Sequence, residues 1–110
     1  MVKQYPVLLS AQARDSLQHI VDYLTEERSL AAALKTERKL LEAIQSLKTF
    51  PEGYGRLKIE RKKSQYPYRF LPAEGYKVIY TIEEVPDAVV IVIELIHDRR
   101  SMQRVEKTIP

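Results

Sequence analysis

The chain has 110 residues, the size of one domain, with no room for a second hydrophobic core. Its 45% hydrophobic and 30% charged residues are the makeup of a packed globular domain and exclude a disordered or fibrous chain. Cysteine is absent and histidine occurs only at His19 and His97, which removes disulfides and thiolate metal sites and argues against a zinc cage; no metal or cofactor is implied.

The stretch from Met1 to Pro6 lacks the apolar region of a signal peptide, and no apolar run nears the roughly 20 residues of a membrane span. The expectation is a cytoplasmic protein with no membrane partner. The net charge of +3 is modest but uneven: residues 51–80 carry seven basic and three acidic side chains, whereas the segments on either side are nearly balanced or slightly acidic.

From the N-terminus, Lys3 to Leu9 suggests a short strand, with Pro6, which cannot donate to a ladder, marking a sheet edge or the strand's first residues. Ser10 suits a helix N-cap, and Ala13, Leu17, Ile20, Val21 and Leu24 then recur at spacings of three and four, giving one apolar stripe as far as Glu27. His19 is expected at the surface or boundary of this helix. Ser29 suits the cap of a second helix whose Leu30, Ala33, Leu34, Leu40, Leu41, Ile44 and Leu47 form its stripe. So short a connection makes the two helices antiparallel neighbours.

Pro51 biases Phe50 out of the helical region, and Gly53 and Gly55 permit a turn, after which the basic segment Arg56 to Lys63 follows. From Tyr68 the period changes to two. Tyr68 to Leu71, a turn through Pro72 to Gly75, and Tyr76 to Ile82 form a hairpin with Tyr76, Val78, Tyr80 and Ile82 on one face. After a turn at Glu83 to Asp87, the run Val89 to Ile93 is apolar on both faces, as in a central strand, with Glu94 and His97 marking its exit to solvent. The tail from Ser101 offers at most a short helical turn. The fold class is α+β: an N-terminal strand, an antiparallel helical hairpin and a three-stranded antiparallel meander, in one domain over residues 1–110.

Arg56, Lys58, Arg61, Lys62 and Lys63 form the densest cationic cluster, suited to phosphates or to an acidic protein; the alternative is a solvated basic loop. Arg69 and Lys77, on facing strands, are expected to extend it into one patch. His97, followed by Asp98, Arg99 and Arg100, stands where an imidazole with neighbouring guanidinium groups can do acid-base chemistry on a phosphodiester, or be a plain surface histidine. No phosphate-cradling glycine loop, serine elbow or carboxylate pair occurs.

Several strings in order, namely Leu9 to Leu17 with Ile20 and Tyr23, Leu47 to Pro51, Tyr68-Arg69, Gly75 to Tyr80 and Ile96 to Arg100, resemble the RelE/ParE superfamily of toxins from bacterial type II toxin-antitoxin pairs. The resemblance implies the fold reached above and a cognate antitoxin whose extended or helical segment covers an apolar groove or adds to the sheet. It also implies one of two targets. RelE-like members cut mRNA on the ribosome with strand-borne basic residues and a C-terminal arginine and tyrosine; ParE-like members poison DNA gyrase.

Under the ribonuclease reading Arg69, Lys77 and His97 are the catalytic candidates. However, Leu71 falls where a second basic residue is expected, and Asp98 and Arg104 stand in place of the C-terminal arginine and tyrosine. An aspartate there repels the scissile phosphate. The ending His97 to Arg100 looks more like ParE, so the expectation is a ParE-like growth inhibitor acting on gyrase, with Arg56, Lys58, Arg61, Lys62, Lys63, Arg99 and Arg100 facing the target. A ribosome-dependent endoribonuclease is the alternative, and a non-toxic protein-binding domain of the same fold the second alternative.

Overall fold

The computed structural model describes residues 4–57, 67–84 and 86–99. In chain order the elements are β1 (Val7–Leu9), α1 (Ala11–Glu27), α2 (Leu30–Ser46), a 3-10 turn (Pro51–Gly53), β2 (Tyr68–Ala73), β3 (Tyr76–Glu83) and β4 (Val89–His97). The strands form one sheet in the order β1-β4-β3-β2, with the helical hairpin on one face.

The meander is antiparallel as expected, but β1 runs parallel to β4, with Val7, Leu8 and Leu9 opposite Val90, Ile91 and Val92. β1 is also shorter than its sequence reading. The Val90 amide donates to the Pro6 carbonyl at 2.9 Å, whereas the Tyr5 amide donates to the Lys48 carbonyl at 2.8 Å, so the chain turns toward the end of α2 before Pro6. The Tyr5 hydroxyl donates to Glu52 at 2.7 Å. That bond first, and burial second, raise its pKa above the ordinary tyrosine value.

Ser10 does two jobs at the start of α1. Its Oγ accepts from the Ala13 amide at 3.0 Å, capping the helix, and donates to the Ile93 carbonyl at 2.8 Å, fastening that end to β4. Ser10→Ala removes both bonds and is expected to cost about 1–2 kcal/mol, read as a lower denaturation midpoint with unchanged slope. Ser29 caps α2 alone, through the Ala32 amide at 3.0 Å.

On α2, Ala33, Leu40, Ile44 and Leu47 are fully buried, but Leu30, Leu34 and Leu41, expected in the same stripe, are 59%, 48% and 39% exposed. The seven positions span a wider arc than one sheet and one neighbouring helix cover, and these three leucines sit at its outer margin.

The β2–β3 turn is tighter than the sequence suggested. Pro72 and Ala73 belong to β2, and only Glu74 and Gly75 turn, both at positive φ (52° and 82°), the conformation of a two-residue type I′ hairpin. Pro72 is tolerated because β2 lies at the edge of the sheet.

The register between β3 and β4 slips between Ile79 and Tyr80, which oppose Glu94 and Val92 and leave Ile93 as an extra residue. Beyond this bulge Glu94 and Leu95 both meet the helix layer. Glu94, expected at the exit to solvent, is 5% exposed. Its carboxylate accepts from Ser16, from Gln12 and from the Leu95 amide, tying α1 to β4.

The main core joins both helices to the inner face of the sheet, with Tyr80 at its centre donating to the Pro51 carbonyl at 2.5 Å. A smaller cluster, Ile79 and Ile96 with Leu57, Tyr68, Phe70 and Ile93, occupies the outer face and contains no helical residue. The apolar run of β4 thus buries Val90 and Val92 against the helices and leaves Ile91 and Ile93 half-buried on the outer face.

Candidate functional site

Arg69, Lys77 and His97 do not converge. Arg69 pairs with Tyr80 on the inner face, and its guanidinium is committed to the chain: Nη1 donates to the carbonyls of Tyr54 at 2.7 Å and Glu52 at 3.2 Å. Lys77 pairs with Pro72 and Ile96 and so lies on the outer face, its ammonium 5.7 Å from the Phe70 ring centroid and 3.3 Å from the Asp98 carbonyl. The expected single patch of Arg69 and Lys77 is therefore split across the sheet.

His97 closes the inner face at the far end, opposite Tyr76. Its ring meets Tyr76 edge-on at 5.5 Å, and its Nδ1 accepts from the Arg99 amide at 3.2 Å. Tyr76 and Tyr80 are four residues apart, so His97 and Arg69 are about 13 Å apart along the strands, with two strand spacings between them. No single phosphodiester reaches both. Leu71, at a position where RelE-like members carry a basic residue, is a core side chain at 6% exposure.

Of the cationic cluster, Arg56 is exposed and its backbone bridges Arg69, adding a short antiparallel pair to the edge of β2. Arg99 is exposed at the end of β4. Lys58, Arg61, Lys62, Lys63 and Arg100, like Arg104 and the tail from Ser101, lie outside the described residues.

A feature that the sequence reading passed over is a groove of about 790 Å³ between α1 and the end of the sheet. Ile20, Leu24 and Leu95 give it an apolar floor, and His19, Tyr23, Tyr76 and His97 give it aromatic walls. Burial pushes the Tyr76 phenol up, neighbouring Tyr23 adds to this, and the Arg28 guanidinium opposes it. Ser16, His19, Tyr23 and Glu27 follow one flank of α1 at spacings of three and four, so a sequence signal existed; what was missing was that this flank faces the end of β4. Among the described residues no three His, Cys, Asp or Glu side chains are grouped to hold a metal, and no helix is long and apolar enough to cross a membrane.

The family model for the ParE toxin of the type II toxin-antitoxin system parDE matches residues 7–102. The chain belongs to the ParE toxin family. Its fold is similar to that of a chain from the chromosomal ParDE toxin-antitoxin system of P. aeruginosa, with a TM-score of 0.67 and 16% identity over 86% of this chain and 97% of that one. No curated protein sequence matches it.

Proposed function

We propose that this chain is the toxin of a type II pair, a ParE-like growth inhibitor that acts as one domain on DNA gyrase in the bacterial cytoplasm and is neutralised by a cognate antitoxin. The observation that carries the choice of gyrase over mRNA is the dispersal of Arg69, Lys77 and His97 over two faces and two ends of the sheet. Metal-free RNA cleavage needs a base, an acid and a charge-stabilising group around one phosphate, within hydrogen-bond reach. Here the first of these residues holds a loop and the second packs on Phe70.

The groove between α1 and the sheet end suits the antitoxin. Its apolar floor and aromatic walls fit side chains of a peptide segment, and its mixed rim of Arg28, Glu27 and Glu74 suits a protein better than a polyanion. Exposed Arg56 and Arg99 remain candidates for contact with the target.

Induced expression in bacteria tests this reading. Growth arrest with filamentation and a DNA-damage response is expected, relieved by co-expressing the short reading frame beside the gene. Translation arrest with cleaved transcripts and intact DNA is the result that contradicts it.

A further inference from the structure

The chain is fastened where it leaves β4. The Asp98 amide donates to the Gly75 carbonyl at 3.0 Å, tying the strand end to the β2–β3 turn, and the Lys77 ammonium reaches the Asp98 carbonyl at 3.3 Å. The next amide, that of Arg99, donates instead to Nδ1 of His97 at 3.2 Å. A side-chain acceptor that takes the amide two residues on is the geometry of an Asx turn, with the imidazole nitrogen standing where an Asn or Asp oxygen ordinarily stands. The edge-on contact with Tyr76 at 5.5 Å sets the plane of the ring. Arg99 is exposed, and its guanidinium joins neither of the ion pairs among the described residues, so its direction follows from the backbone that His97 holds.

Only the neutral ring can do this. Because Nδ1 accepts, the neutral imidazole carries its proton on Nε2. A second proton turns Nδ1 into a donor facing the Arg99 N–H, and imidazoles take up that proton between about pH 8 and pH 5. The charged groups around the ring are Glu27 and Arg28 from α1, Glu74 from the turn, Lys77 from β3, and Asp98 and Arg99 on its own strand; the titratable neutral ones are His19 and Tyr23 from α1 and Tyr76 from β3. Carboxylates and cations balance there, and the hold on Arg99 turns on Nδ1 itself.

From this arrangement we propose that His97 is a positioning residue of the toxin: its neutral imidazole holds the Arg99 end of β4 in the orientation that meets the target, and protonation releases it. The toxin therefore weakens as pH falls. This deepens the proposed function and rests on the reading of the chain as a toxin that meets its target through Arg99.

The test uses the full chain with His97→Asn, whose oxygen accepts from the same amide and does not titrate, His97→Ala, which has no acceptor, and Arg99→Ala, all at exposed positions and each checked for a wild-type melting curve. The temperature coefficient of the Arg99 amide shift in NMR, small for a bonded amide, is followed from about pH 8 to about pH 5.5. It is expected to rise with falling pH in the wild type, to stay small in His97→Asn and to be large throughout in His97→Ala. Growth arrest on induction is expected to survive in His97→Asn and to weaken about fivefold in His97→Ala, the effect of one ordinary hydrogen bond, and at least as much in Arg99→Ala. In gyrase supercoiling assays the wild type and His97→Asn are expected to match near pH 8, with the wild type the weaker inhibitor near pH 6. Equal losses in His97→Asn and His97→Ala overturn the proposal and assign the role to the imidazole itself. Full growth arrest by folded His97→Ala or Arg99→Ala overturns it too, and a wild-type amide that stays bonded at the lowest pH overturns the release by protonation. If the wild type arrests growth without touching gyrase, the named target falls, and the growth assay still decides the role of His97.

Discussion

Glu94→Ala is expected to be strongly damaging for an alanine substitution at a charged residue, lowering stability by about 3 kcal/mol. The carboxylate is the common acceptor for Ser16, Gln12 and the Leu95 amide at a site only 5% exposed. Ser16 and Gln12 can turn toward water once it is gone. The Leu95 amide cannot, and a buried donor without a partner costs about 1–3 kcal/mol, to which the lost bonds between α1 and β4 add. Glu94→Gln keeps one oxygen and lets the Gln12 amide reverse, so it is expected to cost about 1 kcal/mol. Chemical denaturation gives the stabilities, and amide exchange at Leu95 identifies the cause: protection falls in the alanine variant before the rest of β4 opens. Equal stability of the alanine and glutamine variants contradicts this account of Glu94. Because Ser16 and Leu95 also line the groove, a loosened α1 is expected to weaken antitoxin binding as well.

The second large effect is at Tyr80, which is fully buried and donates to the Pro51 carbonyl. Tyr80→Ala opens a cavity the size of a ring and is expected to cost about 3–5 kcal/mol. Tyr80→Phe keeps the packing but leaves the Pro51 carbonyl without its donor, for about 1–2 kcal/mol. The phenol also sets the alkaline limit of the fold. Burial pushes Tyr80 up to about 12, against an ordinary value of 10.0, with Arg69 acting in the opposite sense. The unfolded chain therefore loses this proton first as pH rises. The stability that Tyr80 contributes is complete below pH 10 and declines as pH rises toward about 12. In Tyr80→Phe that part of the alkaline decline disappears, so the two proteins converge in stability at high pH.

Local elements were legible because each rests on a short-range rule. The Ser10 cap and the spacing from Ala13 to Leu24 define α1 without reference to anything distant, and the alternation in β3 does the same for the hairpin. The partner of β1 was not legible, since three residues pair with a strand more than eighty positions away and carry no register signal of their own. Glu94 misled for a related reason. A charged residue late in an apolar strand looks like an exit to solvent, and only the bulge at Ile93, a feature of the three-dimensional register, turns it toward Ser16.

The expected single patch of Arg69 and Lys77 was misplaced at the hairpin turn. Reading Pro72 to Gly75 as the turn moves the pairing by two positions and brings Arg69 next to Lys77, whereas the two-residue turn sets Arg69 against Tyr80 and Lys77 against Pro72. Alternation puts the two cations on opposite faces under either turn, so that much was available from counting. Leu30, Leu34 and Leu41 show the complementary limit: periodicity identifies an apolar arc, but how much of it is covered depends on neighbours that the local pattern does not name.

The proposed action on gyrase is tested most directly by adding the purified chain to a gyrase supercoiling reaction with and without the protein of the neighbouring reading frame. Loss of supercoiling with accumulation of cleaved DNA, reversed by that partner, is the predicted result. Undisturbed supercoiling at concentrations of the same protein that arrest growth in cells contradicts it.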